Sequence, residues 1–120
     1  DNNGKFLKLD LNRLPLPPDF LNSRQMMIVI PPGEIGGNHK HPRREIFISL
    51  SDDLELHWID EKGLTHRQKM KDKNQFYLFN IHPFVPHAVV NRSQSSDALL
   101  LELYDEEQFD VELFPVLSFP

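Results

Sequence analysis

Residues 33–45 read GEIGGNHKHPRRE, and their last seven gather two imidazoles, two guanidiniums and a carboxylate. His39 and His41 stand one residue apart, and Arg43, Arg44 and Glu45 follow. Along an extended strand, side chains alternate between faces with period two, so His39 and His41 would point the same way and Glu45 shares their parity. Pro42 holds His41 in an extended conformation and bends the chain after it. A third histidine, His87, follows Pro86 and opens the apolar run HAVVN, which ends at Asn91. Three imidazoles and one carboxylate suit a divalent first-row metal, because imidazole binds Fe, Mn, Ni, Cu or Zn alike. An H-x-H followed by Glu is also compatible with a solvated polar turn. His87 and Asn91, arriving at a suitable interval downstream, weigh against that reading.

The neighbouring polar residues have two readings each. Arg43 and Arg44 offer planar forks that would hold an anionic ligand, or they pair with Glu45, or they face water. His57 falls on the polar face of an alternating segment and is expected to face solvent, and so is His66. His82 precedes Pro83 and reads as a turn histidine, with a supporting role beside His87 as the alternative. Cys is absent, which excludes disulfides, a thiol nucleophile and Cys-ligated zinc.

The elements that would position these residues are short and apolar. MMIVI (26–30) reads as a buried strand stopped by Pro31, Pro32 and Gly33. EIFISL (45–50) is rich in β-branched and aromatic residues. LELHWID (54–60) alternates, with Leu54, Leu56 and Trp58 on one face and Glu55 and His57 on the other. Glu61, Lys62 and Gly63 form a hairpin turn into LTHRQKM (64–70), a polar edge strand. FYLFNI (76–81), HAVVN (87–91) and ALLLELY (98–104) complete the series. Phe47, Phe76 and Phe79 sit in these patterns as core residues. Residues 1–25 are irregular, with LPLPPDF (14–20) blocking a long helix, and 105–114 has room for one short turn. Strands at this spacing predict an all-β antiparallel sandwich or barrel.

The chain has 120 residues and a net charge of −5, which predicts one domain with a modest core. Lys and Arg are scattered, which disfavours nucleic acid as a partner. No apolar run approaches the about 20 residues that span a bilayer, so no membrane partner is expected. No signal-peptide pattern opens the chain, and a cytoplasmic location is the resulting expectation.

The first cluster resembles the cupin superfamily motif G-x5-H-x-H-x3,4-E-x6-G. Gly33, His39, His41 and Glu45 match it, and Asp52 stands at its last glycine. His87 and Asn91 match the end of the second motif, G-x5-P-x-G-x2-H-x3-N. Phe76, His82 and Phe84 replace its first glycine, its proline and its second glycine. The resemblance covers residues 26–104. It implies a cupin-type double-stranded β-helix, or jelly-roll barrel, with an extension over 1–25 and a tail over 105–120. The ligands it implies are His39, His41, Glu45 and His87, holding a divalent metal (Fe, Mn, Ni or Zn).

The tail SSDALLLELYDEEQFD (95–110) also resembles the nucleotide-sugar 3,4-ketoisomerase cupins. There the histidines of the first motif work as acid/base groups without metal, which would give His39 and His41 that role; Glu45 speaks against it. The expected function is a metal-binding small cupin that binds or acts on a small polar or carbohydrate-like molecule. As an enzyme it would be an isomerase or an oxygenase. Candidate catalytic residues are His41 and His87, and candidate substrate contacts are Arg43, Arg44 and Phe84. The alternatives are a metal-free sugar-nucleotide isomerase and a non-catalytic ligand-binding cupin. The resemblance also implies a homodimer. The apolar residues Phe6, Leu7, Leu9 and Leu11 would pair with a partner's sheet edge or pack on their own barrel.

Overall fold

In the computed structural model the described residues are 9–20, 24–40, 44–105 and 112–113. They form eleven β-strands and two 3₁₀ turns (Leu11–Arg13 and Pro18–Phe20), with no α-helix among them. The strands are β1 (Arg24–Ile30), β2 (Ile35–Lys40), β3 (Glu45–Ser49), β4 (Leu54–Ile59), β5 (Thr65–Lys69), β6 (Lys71–Asp72), β7 (Gln75–Phe76), β8 (Phe79–Ile81), β9 (His87–Asn91), β10 (Ala98–Tyr104) and β11 (Glu112–Leu113). All pairings are antiparallel.

Two sheets carry the fold. One has the order β1-β10-β3-β8 and the other β11-β2-β9-β4-β5. The chain crosses between them at β1 to β2, β2 to β3, β3 to β4, β8 to β9 and β9 to β10. That repeated crossing is the double-stranded β-helix expected from the sequence.

Alternation explains the packing. In β3 every residue is buried, because both of its faces are covered. Phe47 points inward with Leu54, Leu56, Val89, Leu100 and Ile30, forming the barrel core. Ile46 and Ile48 point outward with Leu101 and Leu103, and Phe20 seals them with help from Leu9, Leu14 and Leu16. The N-terminal segment therefore packs on its own barrel as far as it is described, while Leu11 stays exposed. Phe6 and Leu7 lie outside the described residues. Full burial of such a side chain is worth about 1.5–3 kcal/mol, so this lid contributes materially to stability.

Three expectations change. MMIVI is a strand but not a buried one: Met26, Met27 and Val29 are exposed and only Ile30 is buried, because β1 is an edge among the described strands of its sheet. FYLFNI is not one strand: Phe76 pairs with Lys71 in the small β6–β7 hairpin, whereas Phe79–Ile81 pairs with β3. A continuous apolar run hid the change of partner. His57 is buried, not solvent-facing. Its imidazole Nε2 lies 2.6 Å from Glu55 Oε1, and Glu55 also accepts from Arg92 at 2.8 Å. Burial was thus possible because a carboxylate and a guanidinium accompany it. His66 keeps its expected exposure, but it stacks on Trp58 with ring centroids 5.1 Å apart.

Candidate metal and ligand site

A bulge in β2 organises the site. Gly37 pairs with Ala88, but the next pair is His39 with His87, so Asn38 is extra. Without that extra residue, Asn38 would stand opposite His87, and a one-residue slip exchanges the faces of a strand. Gly37 takes φ +92, in the left-handed region. A Cβ there would meet the His87 carbonyl oxygen at 3.0 Å and Ala88 Cα at 3.3 Å. Glycine is required on both counts.

His87 begins β9 and is 2% exposed. Its Nδ1 lies 2.8 Å from the Val85 carbonyl oxygen, which can only accept, so Nδ1 carries a proton. In the neutral ring, Nε2 is then an acceptor. That nitrogen stands 3.3 Å from Glu45 Oε1, on a carboxylate 1% exposed. A lone pair and a carboxylate oxygen this close suit a proton or a metal ion shared between them. An imidazole nitrogen and a carboxylate oxygen are both donors that would hold a divalent metal, and the 3.3 Å separation fits either a proton or an ion.

Phe47 packs edge-on against the imidazole with centroids 5.7 Å apart. Glu45 and His87 open onto a cavity of about 170 Å³ in the barrel, walled by Met26, Ile28, Phe47, Val89 and Leu100. A further carboxylate lines it: Glu102, 4% exposed. The sequence reading passed over Glu102, although a lone acid inside ALLLELY on the parity of Leu100 is the signal that marks it. Asn91, matched by the second motif, has a structural task. Its amide donates to the carbonyls of Ile30 (2.9 Å) and Ser96 (2.8 Å), tying β9 to the end of β1.

The remaining predicted residues fall in different places. His39 is placed by its backbone opposite His87. His41 and Arg43 lie outside the described residues. Among the described residues no group of three metal-binding side chains converges. Arg44 has the opposite parity to Glu45; its guanidinium sits 5.0 Å from the Phe20 ring, on the outer face of β3. Phe84 is 58% exposed in the turn before β9. It has φ +63, the one non-glycine residue with positive φ among those described, at the position where the second motif has glycine. At the first motif's last glycine, Asp52 needs no such conformation. It accepts a 2.6 Å hydrogen bond from Lys71, and that bond holds its carboxyl below the usual range.

No family model and no curated protein sequence matches the chain. Solved structures do. The capsular polysaccharide assembling protein CapF from Staphylococcus aureus superposes with a TM-score of 0.69 at 17% identity, over 78% of this chain and 27% of CapF. A dTDP sugar isomerase from Desulfovibrio desulfuricans G20 gives 0.70 at 17% identity, over 93% of this chain and 76% of the isomerase. WlaRA, a TDP-fucose-3,4-ketoisomerase from Campylobacter jejuni, gives 0.57 at 25% identity, over 72% of this chain and 62% of WlaRA. The chain thus spans about a quarter of the CapF chain it matches. These likenesses establish the cupin fold.

Proposed function

We propose that the chain is a single cupin domain over residues 1–120, with its barrel over 26–104, that holds a divalent metal beside a cavity for a small polar or carbohydrate-like molecule. The observation that carries the reading is the approach of His87 Nε2 to Glu45 Oε1, 3.3 Å apart and both buried. His39, His41, Glu45 and His87 would hold the ion, with Fe, Mn, Ni or Zn all compatible with nitrogen and oxygen donors. Such an ion supplies Lewis-acid polarisation of a bound carbonyl or hydroxyl. The chain's own part is more specific. The Val85 carbonyl fixes the His87 tautomer, Phe47 fixes its ring, and the apolar walls keep water from the pair. Glu102 would offer an acceptor to a ligand hydroxyl across the cavity.

A second reading is supported by the same pair together with the fold likeness to sugar isomerases, one of which, QdtA, was solved with TDP. With a proton in place of the metal, His87 Nε2 would move that proton next to a substrate carbonyl, as 3,4-ketoisomerisation requires. Element analysis of protein purified without chelator, followed by calorimetric titration with Mn²⁺, separates the two. The metal reading expects about one ion per chain and a loss of at least tenfold in Mn²⁺ affinity in both His87→Ala and Glu45→Gln. A folded protein that neither carries nor takes up Fe, Mn, Ni or Zn overturns it and leaves the proton reading.

A further inference from the structure

A second cavity shares no lining residue with the first but adjoins the Glu45–His87 pair: Trp58 stands opposite His87, Ile81 opposite Glu45, and the Val85 carbonyl accepts from His87 Nδ1. It measures about 550 Å³, within the roughly 300–1,000 Å³ of small-molecule sites. Its walls are Trp58, Phe79 and Val85, and its ionisable lining residues are Asp60, Glu61 and His82. Among the described residues no Lys or Arg lines it. The indole is held in place: His66 lies parallel against it at 14°, and His66 Nε2 is 2.7 Å from Asp60 Oδ2. Asp60 is fixed in turn, because its other oxygen accepts from the backbone nitrogens of Lys62 (2.8 Å) and Leu64 (2.9 Å). A preorganised indole thus faces an apolar hollow edged by carboxylates. An aromatic face attracts cations through its quadrupole, most strongly for Trp, and fixed carboxylates add charge of the right sign. Anionic ligands meet the opposite field.

We propose that the Trp58 cavity binds an organic cation, of the quaternary or substituted ammonium class. Charge complementarity decides this against an uncharged sugar, for which the carboxylates would supply acceptors but no selectivity. The inference is independent of the metal reading, since it uses neither Glu45 nor His87. Trp58 is the chain's single tryptophan, so intrinsic fluorescence reports on this cavity alone.

The test titrates choline and its uncharged carbon isostere, 3,3-dimethylbutan-1-ol, against the full chain. Choline is expected to perturb the emission and to bind about tenfold more tightly than the isostere, with the advantage shrinking at high salt. Glu61→Gln, at an exposed turn position, is expected to weaken choline binding about threefold. Followed by ligand-induced thermal shift, Trp58→Phe is expected to keep binding and Trp58→Leu to lose it. Chelator-treated protein is expected to give the same choline response, which separates this site from the metal site. Equal binding of the isostere, a response to methyl β-glucopyranoside in place of choline, or no response to choline at all overturns the proposal. If Trp58→Leu does not fold, the ratio of choline to its isostere and the Glu61→Gln result still decide.

Discussion

Gly37→Ala and Gly36→Ala make a matched pair of neighbouring substitutions with opposite expected outcomes. At Gly37 the backbone is at φ +92, where an L side chain costs about 1–2 kcal/mol. The new methyl would also lie 3.0 Å from the His87 carbonyl oxygen, a backbone atom that cannot swing away, and overpacking of that kind costs on the order of 1 kcal/mol or more. Against this, the loss of unfolded-chain freedom returns about 0.4–1 kcal/mol. The net cost is about 2 kcal/mol, or a fall of roughly 8 °C in Tm for a domain of this size. At Gly36 the nearest atoms to a Cβ are Ile30 Cδ1 at 3.6 Å and the Val89 carbonyl oxygen at 4.0 Å, and φ is unremarkable. Gly36→Ala is therefore expected to be neutral or stabilising by up to about 1 kcal/mol.

Urea unfolding followed by circular dichroism measures both, with equal m-values required for the comparison. The consequence for the site is larger than the stability loss. The clash is with the carbonyl of His87 itself, so relief must shift the start of β9 against β2 and disturb the approach of its imidazole to Glu45. Gly37→Ala is expected to lose Mn²⁺ affinity even where it remains folded, and Gly36→Ala to retain it. Equal stabilities for the two variants, or a Gly37→Ala protein with undiminished Mn²⁺ affinity, would refute the role assigned to the bulge.

Phe84→Asn relieves a left-handed conformation worth about 1 kcal/mol at a residue already 58% exposed, so Tm should hold or rise by up to about 4 °C; a fall larger than that means the phenyl ring holds the turn. Stability should decline on acidification. A hydrogen bond from Lys71 lowers Asp52, and one from His66 lowers Asp60; burial raises Glu55, but bonds from Arg92 and His57 outweigh it. Each folded-state pKa is thus below its ordinary value of 3.8 for the two Asp and 4.5 for Glu55, so each contribution is present above that value and is lost as pH falls through the folded one. Tm measured from pH 6 to pH 3 should drop, and Glu55→Gln should flatten the drop; a level profile in the parent protein would refute it. Among the described strands β1 is an edge, exposing Met27 (49%) and Val29 (54%) beside Leu99 (40%); if the expected homodimer forms there, light scattering with size exclusion should give twice the chain mass, falling to one chain in Val29→Lys.

The strands with clean patterns were legible. The runs at 26–30, 54–60, 87–91 and 98–104 became β1, β4, β9 and β10 within two residues, because β-branched and leucine-rich runs bounded by turns have few other folds available. β2 was not legible as a strand: Gly36, Gly37 and Asn38 have low strand propensity, and the pairing is imposed by β9 and by the bulge. His57 failed for a related reason. Its polar neighbour Glu55 suggested water, but Glu55 and Arg92 are what permit burial. The motif spacing singled out Glu45 and His87, 42 residues apart in sequence, and β3 and β9 bring their side chains to 3.3 Å. Glu102 was lost because one acid in a seven-residue apolar strand does not disturb the pattern that identifies the strand.

The pair also constrains what the site can be. Because Nδ1 of His87 is committed to a carbonyl, only Nε2 is left to change its state, and it faces a carboxylate across 3.3 Å. A proton there is shared with the carboxylate, inside a barrel that shields the pair from water. A metal there leaves both groups as fixed ligands with no proton to exchange. The two readings therefore predict different states for one atom. With a metal bound, Nε2 carries no proton and is a ligand; without it, Nε2 holds the proton that faces Glu45. Histidine NMR of the Zn²⁺-loaded and metal-free chains observes this directly, because loading should remove the Nε2 proton signal of His87 and shift its nitrogen. A His87 spectrum that Zn²⁺ leaves unchanged would overturn the metal reading.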